Sequence, residues 1–137
     1  MGKLLERLKD PSRSGVYRVA RADEVVDALR AGELSLARLA YAGKERLLEN
    51  FAAALEFPGW FGRNWDALED CLADLSWREA SGYVLLIDQA TPGDEFGVLA
   101  DILESTAQSW AGRGKPFFAV FVDPGRALGL PDLFRER

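Results

Sequence analysis

Histidine is absent from the 137 residues. That removes the imidazole base of Ser-His-Asp and Cys-His catalysis, and the zinc sites built on histidine. Cysteine occurs once, at Cys71, so the chain can form neither an intrachain disulfide nor a thiolate cluster for a metal. A lone thiol suits a reducing compartment, so a cytoplasmic location is expected. No run of 18 apolar residues occurs, so no membrane-spanning helix is expected. Residues 1–10 read MGKLLERLKD, and charges interrupt them every few positions, unlike the apolar centre of a signal peptide. Excess positive charge is missing too, with 17 Lys and Arg against 22 Asp and Glu. Nucleic acid and anionic membrane surfaces both call for a basic face, so neither is expected as a partner.

What is present is a foldable chain. It is 48% hydrophobic and 28% charged, enough to bury one sizeable core and too apolar for disorder. Charge is unevenly placed. Residues 1–35 hold seven basic and six acidic side chains, and residues 36–137 hold ten and sixteen. The chain divides into an N-terminal extension (1–35), a main domain (36–123) and a tail (124–137). In the extension, residues 10–15 (DPSRSG) signal a loop, 15–20 (GVYRVA) a short strand and 22–31 a helix stopped by Gly32.

The main domain alternates. Residues 35–41 read as a strand. Leu47, Leu48, Phe51 and Leu55 mark a helix over 44–55, which Pro58 and Gly59 stop. Asn64 reads as the N-cap of a second helix over 65–77. Residues 82–87 (GYVLLI) and 117–122 (FFAVFV) are continuous apolar runs, as expected of strands buried on both faces. Phe96, Leu99, Ile102, Leu103 and Trp110 place a helix over 95–111 between them. The order β-α-α-β-α-β implies an α/β fold with a small parallel sheet of three strands packed with helices. The first 35 residues either add a fourth strand to the sheet edge or form a second interaction surface. The tail reads as irregular, packing through Leu128, Leu130, Leu133 and Phe134.

The most unusual stretch is residues 57–77, FPGWFGRNWDALEDCLADLSW. Trp65, Leu68, Leu72 and Leu75 share a core-facing side of its helix, with Cys71 beside them as a buried apolar residue. Asp66, Asp70 and Asp74 recur every four residues, with Glu69 alongside, so four carboxylates occupy one flank. No basic residue within the helix offsets them, and like charges at this spacing oppose helix formation. A solvated face is the plain explanation. The functional ones are an acid/base or metal pair, or an anionic surface that docks in a partner's cationic cleft.

The segment WFGRNWDALEDCL (residues 60–72) resembles the barstar family of ribonuclease inhibitors. That family's hallmark is an aromatic pair, Gly, any residue, Asn, an apolar residue, Asp, Ala, Leu, any residue, Asp, Cys, Leu. Trp60 and Phe61 stand where the family has two tyrosines. Gly62, Asn64, Asp66, Ala67, Leu68, Asp70, Cys71 and Leu72 follow the pattern. The resemblance extends over about residues 36–122 through the matching order of elements. It implies a cytoplasmic, non-enzymatic, antitoxin-like inhibitor, without cofactor or metal. Such a protein covers a basic ribonuclease's active site with this loop and helix. It further implies Asp70 as the anchor in the phosphate position, Asp66 as a second ionic contact, and Glu104 as a third acidic contact from the helix before the last strand. Trp60, Gly62, Asn64 and Glu69 complete the patch. Trp65, Arg63, Glu69, Ala73 and Leu75 depart from the family pattern. These changes favour a related ribonuclease or another basic toxin over barnase itself, with a non-ribonuclease partner as the alternative.

Weaker signals remain. Asp66 and Asp70 sit one helical turn apart, as a carboxylate enzyme would need, but on an exposed flank without a pocket. Residues 93–96 (GDEF) echo a nucleotide-cyclase signature in a chain too short for that domain. They read instead as a helix start favoured by its dipole. Cys71 lacks a base and reads as inert. One of Trp60 and Phe61 is expected exposed and the other packed inward. Trp77 and Trp110 read as core or edge packing, and Arg113 and Lys115 as a solvated turn.

Overall fold

A computed structural model describes residues 3–30, 32 and 34–134. Four strands make one all-parallel sheet: β1 (Gly15–Val19), β2 (Ser35–Ala40), β3 (Tyr83–Asp88) and β4 (Phe117–Val122), in the order β1-β4-β3-β2. Parallel neighbours need crossovers, and helices supply them. Helix α1 (Lys3–Leu8) precedes β1, and α2 (Asp23–Ala28) follows it. Helices α3 (Lys44–Leu55) and α4 (Trp65–Asp74) join β2 to β3, and α5 (Asp94–Gly112) joins β3 to β4. The α/β class is as expected, and the N-terminal strand is the sheet's fourth, pairing Gly15 with Phe118 and Val19 with Val122.

Successive strand residues face opposite ways, and both faces are covered. Tyr83, Leu85, Ile87, Phe117, Ala119 and Phe121 enter one core with Phe51 of α3, Leu68 of α4 and Leu103 of α5. Val84, Leu86, Phe118 and Val120 enter a second core with Leu4, Leu8, Val25, Leu29 and the tail's Leu133. The sheet is the middle of three layers, which is why its two central strands are apolar without a break. Tail and edge strand are tied together by buried polar groups. The Arg18 guanidinium donates to the Asp123 carbonyl from Nε at 2.9 Å and from Nη2 at 2.6 Å, and pairs with Asp132 through Nη1. The Asp123 carboxylate in turn accepts the Ala127 and Leu128 amides, each at 3.0 Å.

Helices α3 and α4 run the same way. Lys44 at the start of α3 lies 5.3 Å from the ring centre of Trp65 at the start of α4. The Leu55 carbonyl at the end of α3 accepts the Trp77 indole N–H just past the end of α4, at 3.0 Å. Residues 56–64 must therefore carry the chain back along roughly 15 Å, the rise of a ten-residue helix. Nine extended residues could span about 30 Å, so the loop makes the return with length to spare, and none of its residues is buried.

Two local expectations are corrected, and one helix was not foreseen. The N-terminal residues form α1, whose Leu4 and Leu8 are buried one turn apart. Helix α2 ends at Ala28, and Ala31, its expected last residue, lies outside the described residues. Helix α4 stops at Asp74 instead of Trp77, because Leu75 turns left-handed at φ 48° while its amide still donates to the Cys71 carbonyl. That conformation costs a leucine about 1–3 kcal/mol. Complete burial of its side chain in the first core offsets the cost.

Candidate protein-docking site

The site begins with the return loop. Glu56 ends α3 in a left-handed conformation, φ 57°, and its neighbour Phe57 stacks edge-on to Phe61 and Trp77 at 4.8 and 6.0 Å between ring centres. Trp60 lies edge-on to Trp77 at 6.4 Å yet is 63% exposed. Phe61 is the member of the pair that packs inward, against the first core. Trp77 thus holds two aromatic rings of the loop, Phe57 and Trp60, and Phe57 in turn holds Phe61. Arg63 also turns left-handed, φ 57°, and its guanidinium reaches back to Glu49 of α3 at 3.7 Å.

Asn64 then starts α4. It is extended (φ −139°, ψ 174°), and its Oδ1 accepts the Ala67 amide at 2.7 Å, satisfying one of the free donors of the first turn. Gly62 is exposed. A methyl group there would meet only ordinary contacts with Asn64 and Ala67, at 3.4 and 3.6 Å. In the helix, Leu68, Cys71 and Leu72 are buried and Trp65 is half-buried. Asp66, Glu69, Asp70 and Asp74 are all exposed. None of the four forms a salt bridge or side-chain hydrogen bond among the described residues. Burial pushes the Cys71 thiol above its usual pKa, and the Asp70 and Asp74 charges add to this. It is protonated and enclosed, the opposite of an activated nucleophile. Among the described residues no group of three or more Cys, Asp or Glu side chains is placed to hold a metal ion.

Six of the seven expected site residues, Trp60, Gly62, Asn64, Asp66, Glu69 and Asp70, fall on this one loop-and-helix segment. Glu104 does not join them. It stands on the flank of α5 turned towards β1, with Oε1 near Gly15 and Oε2 accepting from Gln108 at 3.0 Å. The side of α5 that meets α4 carries Trp110 and Arg113 instead. The Trp110 indole N–H donates to the Leu72 carbonyl at 2.8 Å, and Arg113 Nη2 donates to the Ala73 carbonyl at 2.9 Å. Arg113, expected in a solvated turn, is exposed but bound to the end of α4. Its partner is a backbone atom 40 residues away, which no sequence pattern reveals.

An exposed anionic helix, an exposed indole and a capped helix start thus share one surface. The family model described as Barstar (barnase inhibitor) matches residues 33–122, most of the chain. The chain belongs to the barstar family. Comparison with curated proteins gives no match.

Proposed function

We propose that the protein is an inhibitor that binds a basic ribonuclease or related toxin and blocks its active site with α4 and the preceding loop. The observation that carries this reading is the row Asp66, Glu69, Asp70 and Asp74. These are four exposed carboxylates on one helix, with no cation paired to them among the described residues. Natural helices usually offset such charge, since neighbours at i, i+4 repel. Here it is free to accept charge-assisted hydrogen bonds from the Arg and Lys side chains of a phosphate-binding cleft. Asp70, at the centre of the row, is the anchor, Asp66 the second ionic contact, and Trp60 an apolar contact beside them. The protein performs no catalysis in this reading and needs no cofactor. Its buried single thiol suits the cytoplasm.

Calorimetric titration against barnase, as the probe ribonuclease, tests the reading with wild type and Asp70→Ala. Wild type should bind tightly, and the variant should lose at least about a hundredfold in affinity. Association should slow as salt rises, because the acidic row steers the encounter. If wild type does not bind, the departures at Glu69, Ala73 and Leu75 favour a partner outside the barnase class. The same titration against other basic toxins then decides.

A further inference from the structure

The last turn of any helix leaves carbonyl groups without intrahelical donors. In α4 these lie at the end that carries Asp70 and Asp74. A glycine usually closes such an end, but here Leu75 does, and its amide serves only the Cys71 carbonyl. The next two carbonyls, Leu72 and Ala73, are taken by side chains from the last turn of α5 and the residue that follows it. Trp110 donates to the first at 2.8 Å and Arg113 to the second at 2.9 Å. The two donors also hold each other. The Arg113 guanidinium lies 3.8 Å from the Trp110 ring centre, and its Nη2 bonds Ser109 Oγ at 3.0 Å. Arg113 is thus a cation beside an acidic row, with its donors aimed at backbone and at its own helix.

We propose that Arg113, braced on Trp110, is a positioning residue that fixes the carboxylate-bearing end of α4 for docking. The consequence for binding rests on α4 being the docking helix, whereas the clamp itself is a property of the free protein. A guanidinium suits the role because it stacks on indole and donates in a fixed plane, and an ammonium does not. A cation at a helix C-terminus also opposes the partial negative charge there.

Amide hydrogen exchange on the free full-length protein tests the clamp in wild type, Arg113→Ala, Arg113→Lys and Trp110→Phe. In Arg113→Ala the Asp74 and Leu75 amides should exchange about tenfold faster, with those of Leu68 and the middle of α5 little changed. Arg113→Lys should restore protection only in part. Trp110→Phe keeps a ring but removes the indole donor, and should give the same local pattern. Equal exchange at the end of α4 in wild type and Arg113→Ala overturns the proposal, and so does a uniform rise across the chain. Stopped-flow binding to barnase adds the second readout. At salt high enough to screen steering, faster dissociation of Arg113→Ala with unchanged association supports positioning. Faster association means that the guanidinium opposes the partner's charge directly, which overturns it. If wild type does not bind, the docking reading fails, and the exchange result still decides the clamp.

Discussion

Two residues show how tightly single positions are constrained away from the docking face. Gly82 precedes β3, and a Cβ there would lie 2.6 Å from Pro116 Cγ and 2.8 Å from Leu34 Cδ2. Pro116 is a ring with little freedom, and the backbone at Gly82 is itself held, its carbonyl accepting the Ser35 amide at 2.9 Å. Gly82→Ala should therefore destabilise the protein by roughly 1–3 kcal/mol through overpacking, read as a lower melting temperature with the fold retained. Asp132 is the second case. The hydrogen bond from Arg18 holds its carboxyl below the ordinary value of 3.8, and Arg126 contributes in the same direction. A carboxyl depressed in the folded state stabilises fully above the unfolded pKa, and the contribution is lost as pH falls through the folded value. As pH falls from the ordinary carboxylate range towards that depressed value, the wild-type tail should become progressively susceptible to an acid-active protease. Asp132→Asn should be susceptible across that range with a flatter pH profile. A wild-type tail that stays protected at the acid end would show that Leu133 and Leu128 hold it without the ion pair.

Helix α4 sets fold and function against each other at the element scale. Its buried side, Leu68, Cys71 and Leu72, holds the first core together. Its exposed side carries Asp66, Asp70 and Asp74 at a spacing that costs a few tenths of a kcal/mol for each like-charged pair. Asp70 takes part in two such pairs. Asp70→Ala should therefore melt no lower than wild type, and up to a few degrees higher at low salt, while losing the proposed binding. A clear loss of stability would mean that Asp70 has a structural partner and that the row is not kept for docking. The legibility of this helix in the sequence was uneven for the same physical reasons. Its start was readable because an N-cap is a local event between Asn64 and Ala67. Its end was not, because Leu75 carries no left-handed signature and is held by burial. Helix α3 and strand β4 were readable to the residue, since their apolar spacing and their stop signals are local. Helix α1 was not, because six residues gain helicity only from packing Leu4 and Leu8 against the sheet. Within the site, charge spacing displayed Asp66, Glu69 and Asp70. The side of α5 facing α4 depends on how the two helices pack, so the sequence showed neither that Glu104 lies on the flank towards β1 nor that Arg113 reaches α4.

At the scale of the whole molecule, the sheet sets what the parts outside the family match do. The match covers residues 33–122, which hold β2, β3, β4 and the three helices of one layer. It leaves out β1, α1, α2 and the tail. Those pieces pair with the β4 edge and cover Val84, Leu86, Phe118 and Val120 on the second face. Four large apolar side chains, all at 0% exposure in the full chain, would face water without them. Burying each contributes about 1.5–3 kcal/mol, comparable in sum with the whole stability of an ordinary domain. An exposed β4 edge would also offer free backbone groups to other chains. A fragment of residues 33–122 should therefore bind a hydrophobic dye, lose its cooperative melting transition and associate in sedimentation experiments, whereas the full chain should do none of these. Arg18→Met in the full chain should fall between the two. It keeps β1 but removes the guanidinium that joins the Asp123 carbonyl to Asp132, leaving Arg126 on the Asp132 carboxylate. A fragment that melts cooperatively without binding dye would mean that the docking layer and sheet are stable alone. The N-terminal layer would then be free to serve as a second interaction surface. A fragment that fails while Arg18→Met retains a cooperative transition would instead place the layer inside the folding unit, with the Arg18 network as its fastening to the tail.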